Sequence, residues 1–141
     1  MSTFVTRREC RPLTCPTDQV TARREIVPNA VDLAQFRPPE GARPAGPYRL
    51  LFVGGLVPVK GVPHLLEALA QLQQRRTDWL LDIVGDGPER DAYERMARAL
   101  GLAGQITFHG MQPKAAVAGF MQRADLLVLP SLWENLPCVV I

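Results

Sequence analysis

Cysteine is scarce and badly placed for cross-linking: of three, Cys10 and Cys15 lie in a polar N-terminal stretch and Cys138 stands near the other end. An odd and scattered count excludes a disulfide framework and fits free thiols in a reducing cytosol. Cys10 and Cys15 resemble half a zinc site, but no second Cys or His pair follows at ligand spacing, and His64 and His109 stand alone. The spacing therefore gives no metal site. Aromatic residues are only 6% of the chain against 47% hydrophobic residues in all. That aliphatic balance favours a layered α/β domain over a disordered one. No apolar run approaches the ~18 residues of a membrane span, and the opening "MSTFVTRREC" has no apolar signal segment. A cytoplasmic protein is expected, peripheral to a membrane at most. Charge of one sign is also lacking. Sixteen basic and fourteen acidic residues leave a net charge of +2 with no long block of either, so no nucleic-acid partner is implied.

What is present is a regular alternation. At 141 residues the chain is one domain's worth. Residues 1–25 carry five arginines among Thr, Pro and Cys with no sustained period and read as a loosely ordered leader. Residues 26–141 read as the domain, opening with "IVPNAVDLAQFRPP" and the loop "EGARPAGP". "YRLLFVG" (48–54), "WLLDIVG" (79–85), "QITFHG" (105–110) and "DLLVLP" (125–130) are short apolar runs that read as buried strands. Between them lie three helices. "VPHLLEALAQLQQR" (62–75) sets Leu65, Leu66, Leu69 and Leu72 on one face, with Pro63 in its first turn. "PERDAYERMARALG" (88–101) does the same with Tyr93, Met96, Ala97 and Leu100 and stops at Gly101. "PKAAVAGFMQRA" (113–124) turns Val117, Phe120 and Met121 inward. Strand and helix in strict alternation mean right-handed crossovers and a parallel sheet, so the fold class is α/β, Rossmann-like and doubly wound.

Such sheets bind ligands beyond the carboxyl ends of their strands, which directs attention to four loops. After the first strand, "GGLVPVKG" offers Gly54 and Gly55 for close backbone approach and Lys60 as a point charge for a phosphate. It matches neither the dinucleotide G-x-G-x-x-G fingerprint nor a Walker A loop, and a plain turn with an exposed Lys explains it as well. After the second strand, Gly85, Asp86, Gly87 and Pro88 are all good helix-entry residues, with Asp86 able to cap. After the third, "HGMQP" brings His109, Gly110 and Met111 to the mouth of the sheet; a lone His there is more often a packed neighbour than a catalyst. After the fourth, "PSLWENLPCVVI" sets Glu134 toward the crevice, where it can hydrogen-bond hydroxyls. The amides from Cys138 onward open what reads as a helix and could face a phosphate.

Five segments in order, "VPNAVDLAQF", "LLFVGGLVPVKGVPHLLEAL", "DIVGDGPERD", "ITFHGMQP" and "ADLLVLPSLWENLP", resemble the C-terminal, donor-binding half of the family 4 retaining glycosyltransferases of GT-B fold, covering residues 26–141. This resemblance implies a nucleotide diphosphate sugar as donor, transfer to a hydroxyl acceptor with retention, and no metal or other cofactor. It places Lys60 on the diphosphate leaving group and Glu134 near the sugar hydroxyls, both as catalytic residues. Gly54, Gly55, Gly85, Asp86, Gly110 and Met111 would line the rest of the nucleotide-sugar site, largely through backbone groups. Where the family usually has Arg, this sequence has Gly55, leaving Lys60 without a bidentate partner. The family's second Glu would fall just after Ile141. The resemblance thus implies a truncated domain that depends on a missing N-terminal acceptor domain or its equivalent. Alone it would bind nucleotide weakly and transfer nothing. The fourth strand would lie beside the first with an apolar, unpaired edge, inviting self-association. A lipid-linked acceptor would add peripheral membrane association. Three rivals stand beside this reading: a non-catalytic nucleotide-sugar-binding module or partner subunit, a sugar-nucleotide epimerase of the same fold, and an α/β domain without a ligand.

Overall fold

In a computed structural model of the chain, residues 31–38, 41, 45–134 and 137–140 are described. The leader and the Cys10 and Cys15 pair lie outside them. Four strands and three helices alternate as β1 (Tyr48–Val53), α1 (Val62–Gln73), β2 (Trp79–Val84), α2 (Arg90–Ala99), β3 (Ile106–Gly110), α3 (Lys114–Arg123) and β4 (Leu126–Leu127). Short 3-10 turns at Pro58–Lys60 and Cys138–Val140 complete the path.

All strand pairs are parallel, and the sheet order is β3-β2-β1-β4. β1 and β2 pair along their whole length, from Tyr48 opposite Trp79 to Val53 opposite Val84. The chain steps outward from β1 to β3, then returns through α3 to lay β4 on the other side of β1. Strand order therefore reverses at β1, and the loops leaving β1 and β4 border a topological switch point, where open α/β sheets place ligands.

The core lies between this sheet and the apolar faces of α1 and α2. Phe52, Leu56, Leu66, Leu81, Ile83 and Leu102 are fully buried, with Leu65, Leu69, Tyr93 and Ala97 nearly so. Each of the larger side chains contributes about 1.5–3 kcal/mol by leaving water. The helical spacing read from α1 and α2 thus matches their buried faces, with Leu72, Met96 and Leu100 partly buried at the margins.

Four expectations need correction. β4 is two residues long, where the apolar run 125–130 reads as a full strand. Its ladder starts with Asp125, whose amide donates to the Arg49 carbonyl while its carboxylate accepts from the Arg49 amide, and runs to Val128, which donates to Leu51. Beyond that, Pro130 has no N–H to donate. Nor is β4 buried on both faces, since Leu126 is 57% exposed. In α3 only Ala118 is buried; Val117, Phe120 and Met121 are half-buried, because the short β4 offers little surface to pack on. Finally, α2 begins at Arg90, with Pro88 and Glu89 forming the turn that leads into it.

Candidate functional site

The crevice floor is backbone from three strand ends. Gly85, with φ at 137°, lies so close to Gly54 that a Cβ there would collide with the Gly54 carbonyl oxygen. The Gly85 amide donates to the Gly110 carbonyl (2.9 Å), and the Gly54 amide to Val84 (3.0 Å). Gly54, Gly85 and Gly110 are therefore brought together at one end of the sheet. The β1 and β2 loops are joined further by Leu56 donating to Asp86 (2.9 Å) and Glu89 donating to Leu56 (3.2 Å).

The β1 loop is also fastened on its other flank. Gly61 takes a left-handed turn (φ 67°) directly beneath Pro130, where any Cβ would strike the Pro130 carbonyl. Two residues further on either side, the Leu132 amide donates to the Val59 carbonyl (2.9 Å). This clamp sets Lys60, at the end of its 3-10 turn, against the loop that follows β4.

Across that clamp Lys60 Nζ donates to Glu134 Oε1 in an ion pair, and Ser131 Oγ donates to the same oxygen at 2.8 Å. Both charged side chains are half-buried, 27% and 21% exposed. Hydrogen bonding from Lys60, and secondarily from Ser131, holds the Glu134 carboxyl below the usual carboxylate range. The two residues singled out for chemistry, 74 positions apart, thus form one unit. Ser131 is a site residue that the sequence reading missed; its signal is the Ser-x-x-Glu spacing within a strand-end loop.

The remaining candidates lie at the carboxyl ends of β1, β2 and β3. Gly55 has open space: the nearest neighbour of a Cβ would be the Asp86 carbonyl oxygen at 3.9 Å. Asp86 does not cap α2. Its carboxylate accepts from the Gly87 amide (2.8 Å) and lies 3.6 Å from Arg90 Nη1. Arg90 was also missed. It bonds Glu94 (2.9 Å) and the Phe108 carbonyl (3.4 Å) and lies against Gly110, bracing the β3 end from the α2 side. Hydrogen bonding to Glu94 raises its already high pKa. Met111 is 74% exposed beside Gly110. His109 lies within β3; its Nε2 meets Asp82 Oδ1 at 2.6 Å and its ring packs on Phe120, so it is a packed neighbour. The Cys138–Val140 stretch is a 3-10 turn, where a helix start is expected from sequence. Among the described residues no group of three His, Cys, Asp or Glu could hold a metal ion. Nor is any helix there long and apolar enough to cross a membrane.

A family model described as "Glycosyl transferases group 1" matches residues 35–141. The chain belongs to this family. Among group 1 relatives, the 2-deoxystreptamine glucosyltransferase of Streptomyces kanamyceticus is 32% identical over 123 residues, 79% of this chain and 32% of that protein. Two solved structures of similar fold frame the comparison. Sucrose-phosphate synthase from Thermosynechococcus elongatus is 27% identical with a TM-score of 0.68, over 79% of this chain and 30% of that one. HepE of Anabaena, solved in complex with UDP, is 25% identical with a TM-score of 0.53, over 61% and 24% respectively. These group 1 residues span only 24 to 33% of the length of the curated relatives they match.

Proposed function

We propose that this chain binds a nucleotide diphosphate sugar and forms the donor side of a retaining, hexosyl-type glycosyltransferase site. The Lys60–Glu134 unit at the switch point carries the reading: it supplies a cation for the diphosphate beside a carboxylate for sugar hydroxyls. The UDP bound by the Anabaena relative supports the nucleotide class. Gly54, Gly55, Gly85 and Gly110 let the donor approach the backbone, and Asp86 and Met111 border it.

In the proposed reaction an acceptor hydroxyl attacks the anomeric carbon on the face the diphosphate leaves. The anomeric C–O bond to phosphate breaks as the glycosidic bond forms, and the hydroxyl proton passes to the departing phosphate oxygen. Lys60 stabilises the charge that grows on that phosphate. Glu134 stays ionised because Lys60 and Ser131 hold it, and accepts hydrogen bonds from the sugar. The matched part of the chain spans 24 to 33% of the curated relatives' length, so donor binding is proposed for these residues and transfer for the whole protein.

Titrating UDP, GDP and ADP while following thermal stability tests the proposal, since a ligand that binds only the folded state raises its melting temperature. One nucleotide should stabilise the protein, and Lys60→Ala should sharply reduce that effect at the same nucleotide concentration. No stabilisation by any of the three would overturn the reading.

Gly55 supplies a second, opposite-signed prediction. Its backbone and the open space at its Cα admit a side chain. Gly55→Arg should therefore fold normally and tighten nucleotide diphosphate binding about tenfold by adding a bidentate donor. Calorimetric titration giving unchanged affinity would mean that position 55 does not face the diphosphate.

We also infer association with a second copy along β4. Its outer edge has no strand partner among the described residues, and Leu126 presents apolar surface there. Sedimentation velocity should show concentration-dependent association that Leu126→Lys reduces. A concentration-independent monomer counts against it.

A further inference from the structure

Within the loop after β4, Ser131 occupies the one position between two tethered residues. Pro130 is pressed against Gly61, and Leu132 is bonded to Val59, so the Ser131 backbone is held on both sides. Its hydroxyl donates to Glu134 Oε1, the same oxygen that Lys60 engages. Oε2 takes no hydrogen bond among the described residues. One oxygen is thus doubly occupied and the other left to accept.

We propose that Ser131 is a positioning residue: with Lys60 it anchors one oxygen of Glu134, so that the other is presented to the sugar of the donor. This rests on the donor-binding reading above. A glutamate side chain is flexible and costs roughly 1.5–2 kcal/mol to order. A single contact to Lys60 leaves the carboxylate free to rotate about it. The second anchor, on the same oxygen but from a different direction, removes that freedom. Because the anchor is a neutral hydroxyl, it orients the carboxylate without altering the charge that the diphosphate meets. Without it, Glu134 can swing either oxygen onto Lys60, and its free acceptor no longer has a fixed direction. The sugar would then lose its hydrogen bond while the diphosphate kept its cation.

The test compares the wild type with Ser131→Ala, Ser131→Thr and Lys60→Ala. Calorimetry measures UDP, GDP and ADP against UDP-glucose, GDP-mannose and ADP-glucose, and carbon-detected NMR follows titration of the Glu134 carboxyl. Ser131→Ala should leave nucleotide affinity within about twofold and weaken the matching nucleotide sugar about tenfold, as expected for losing a hydrogen bond to a charged group. The Glu134 carboxyl should titrate at higher pH in Ser131→Ala and return toward the wild-type value in Ser131→Thr, which keeps the hydroxyl. An unmoved Glu134 titration in Ser131→Ala overturns the proposal whatever the donor. So does equal weakening of nucleotide and nucleotide sugar, or no weakening of either. If Lys60→Ala leaves nucleotide affinity unchanged, the donor-binding reading itself fails.

Discussion

Gly85→Val should unfold the protein or lower its stability by about 4 kcal/mol, the largest effect expected of any single change at the crevice. Two independent costs combine. At φ 137° the backbone occupies a region that side-chain-bearing residues avoid, for ~1–3 kcal/mol. The new Cβ would also lie inside contact distance of the Gly54 carbonyl, and neither backbone can move freely. Gly54 is held by Val84, and the Gly85 amide by Gly110, so relief at one strand end would break a bond at another. Gly104→Val is the control, because a Cβ at Gly104 meets nothing within 4 Å and its φ is not left-handed. Chemical denaturation should show a large drop in midpoint for the first variant and a small change for the second. Comparable midpoints would mean that the close approach of the β1 and β2 loops is not maintained in solution.

Lys60→Ala should weaken nucleotide diphosphate binding roughly 30- to 100-fold, since it removes a charge-assisted donor from a partly dry site. It should also change the acid limb of stability. In the wild type Glu134 has a depressed folded pKa, so its stabilising contribution is present above the ordinary carboxylate range and is lost as pH falls through the folded value. Removing Lys60 takes away the larger cause of the depression and leaves only Ser131. The Glu134 carboxyl should then titrate closer to its ordinary range, and the fall in melting temperature below about pH 5 should lose the part due to Glu134. Calorimetry for binding and melting curves between pH 3 and pH 7 for stability read the two effects separately. Wild-type affinity with an unchanged acid limb would show that Lys60 and Glu134 are not coupled.

The sheet and its crossovers were legible because their signals are local. Apolar runs ending in glycine mark β1, β2 and β3, and the i, i+3, i+4 spacing of Leu65, Leu66 and Leu69 marks the buried face of α1. β4 was overestimated because hydropathy does not count hydrogen-bond partners, and the ladder stops short of Pro130 whatever the side chains favour. The face of α3 was overread for a related reason: Val117, Phe120 and Met121 are spaced for burial, but what a helix covers depends on the width of sheet beneath it. At the site, Lys60 and Glu134 were visible singly as strand-end charges. Their union was not, because it depends on β4 lying beside β1 and on the Gly61–Pro130 and Val59–Leu132 contacts. Ser131 and Arg90 escaped notice because each acts on another part of the protein, Ser131 on the Glu134 carboxylate and Arg90 on the Phe108 carbonyl, a role that residue type alone does not announce.

The reach of the Lys60–Glu134 contact along the chain has a kinetic side. Its partners stand 74 positions apart, and the chain between them runs from α1 to β4. Closing so long a loop is slow and entropically costly, and it is compensated only when β4 joins β1. A chain still assembling therefore offers Lys60 to solvent without its carboxylate, as an indiscriminate cation. The ion pair is therefore a marker that β4 has joined β1.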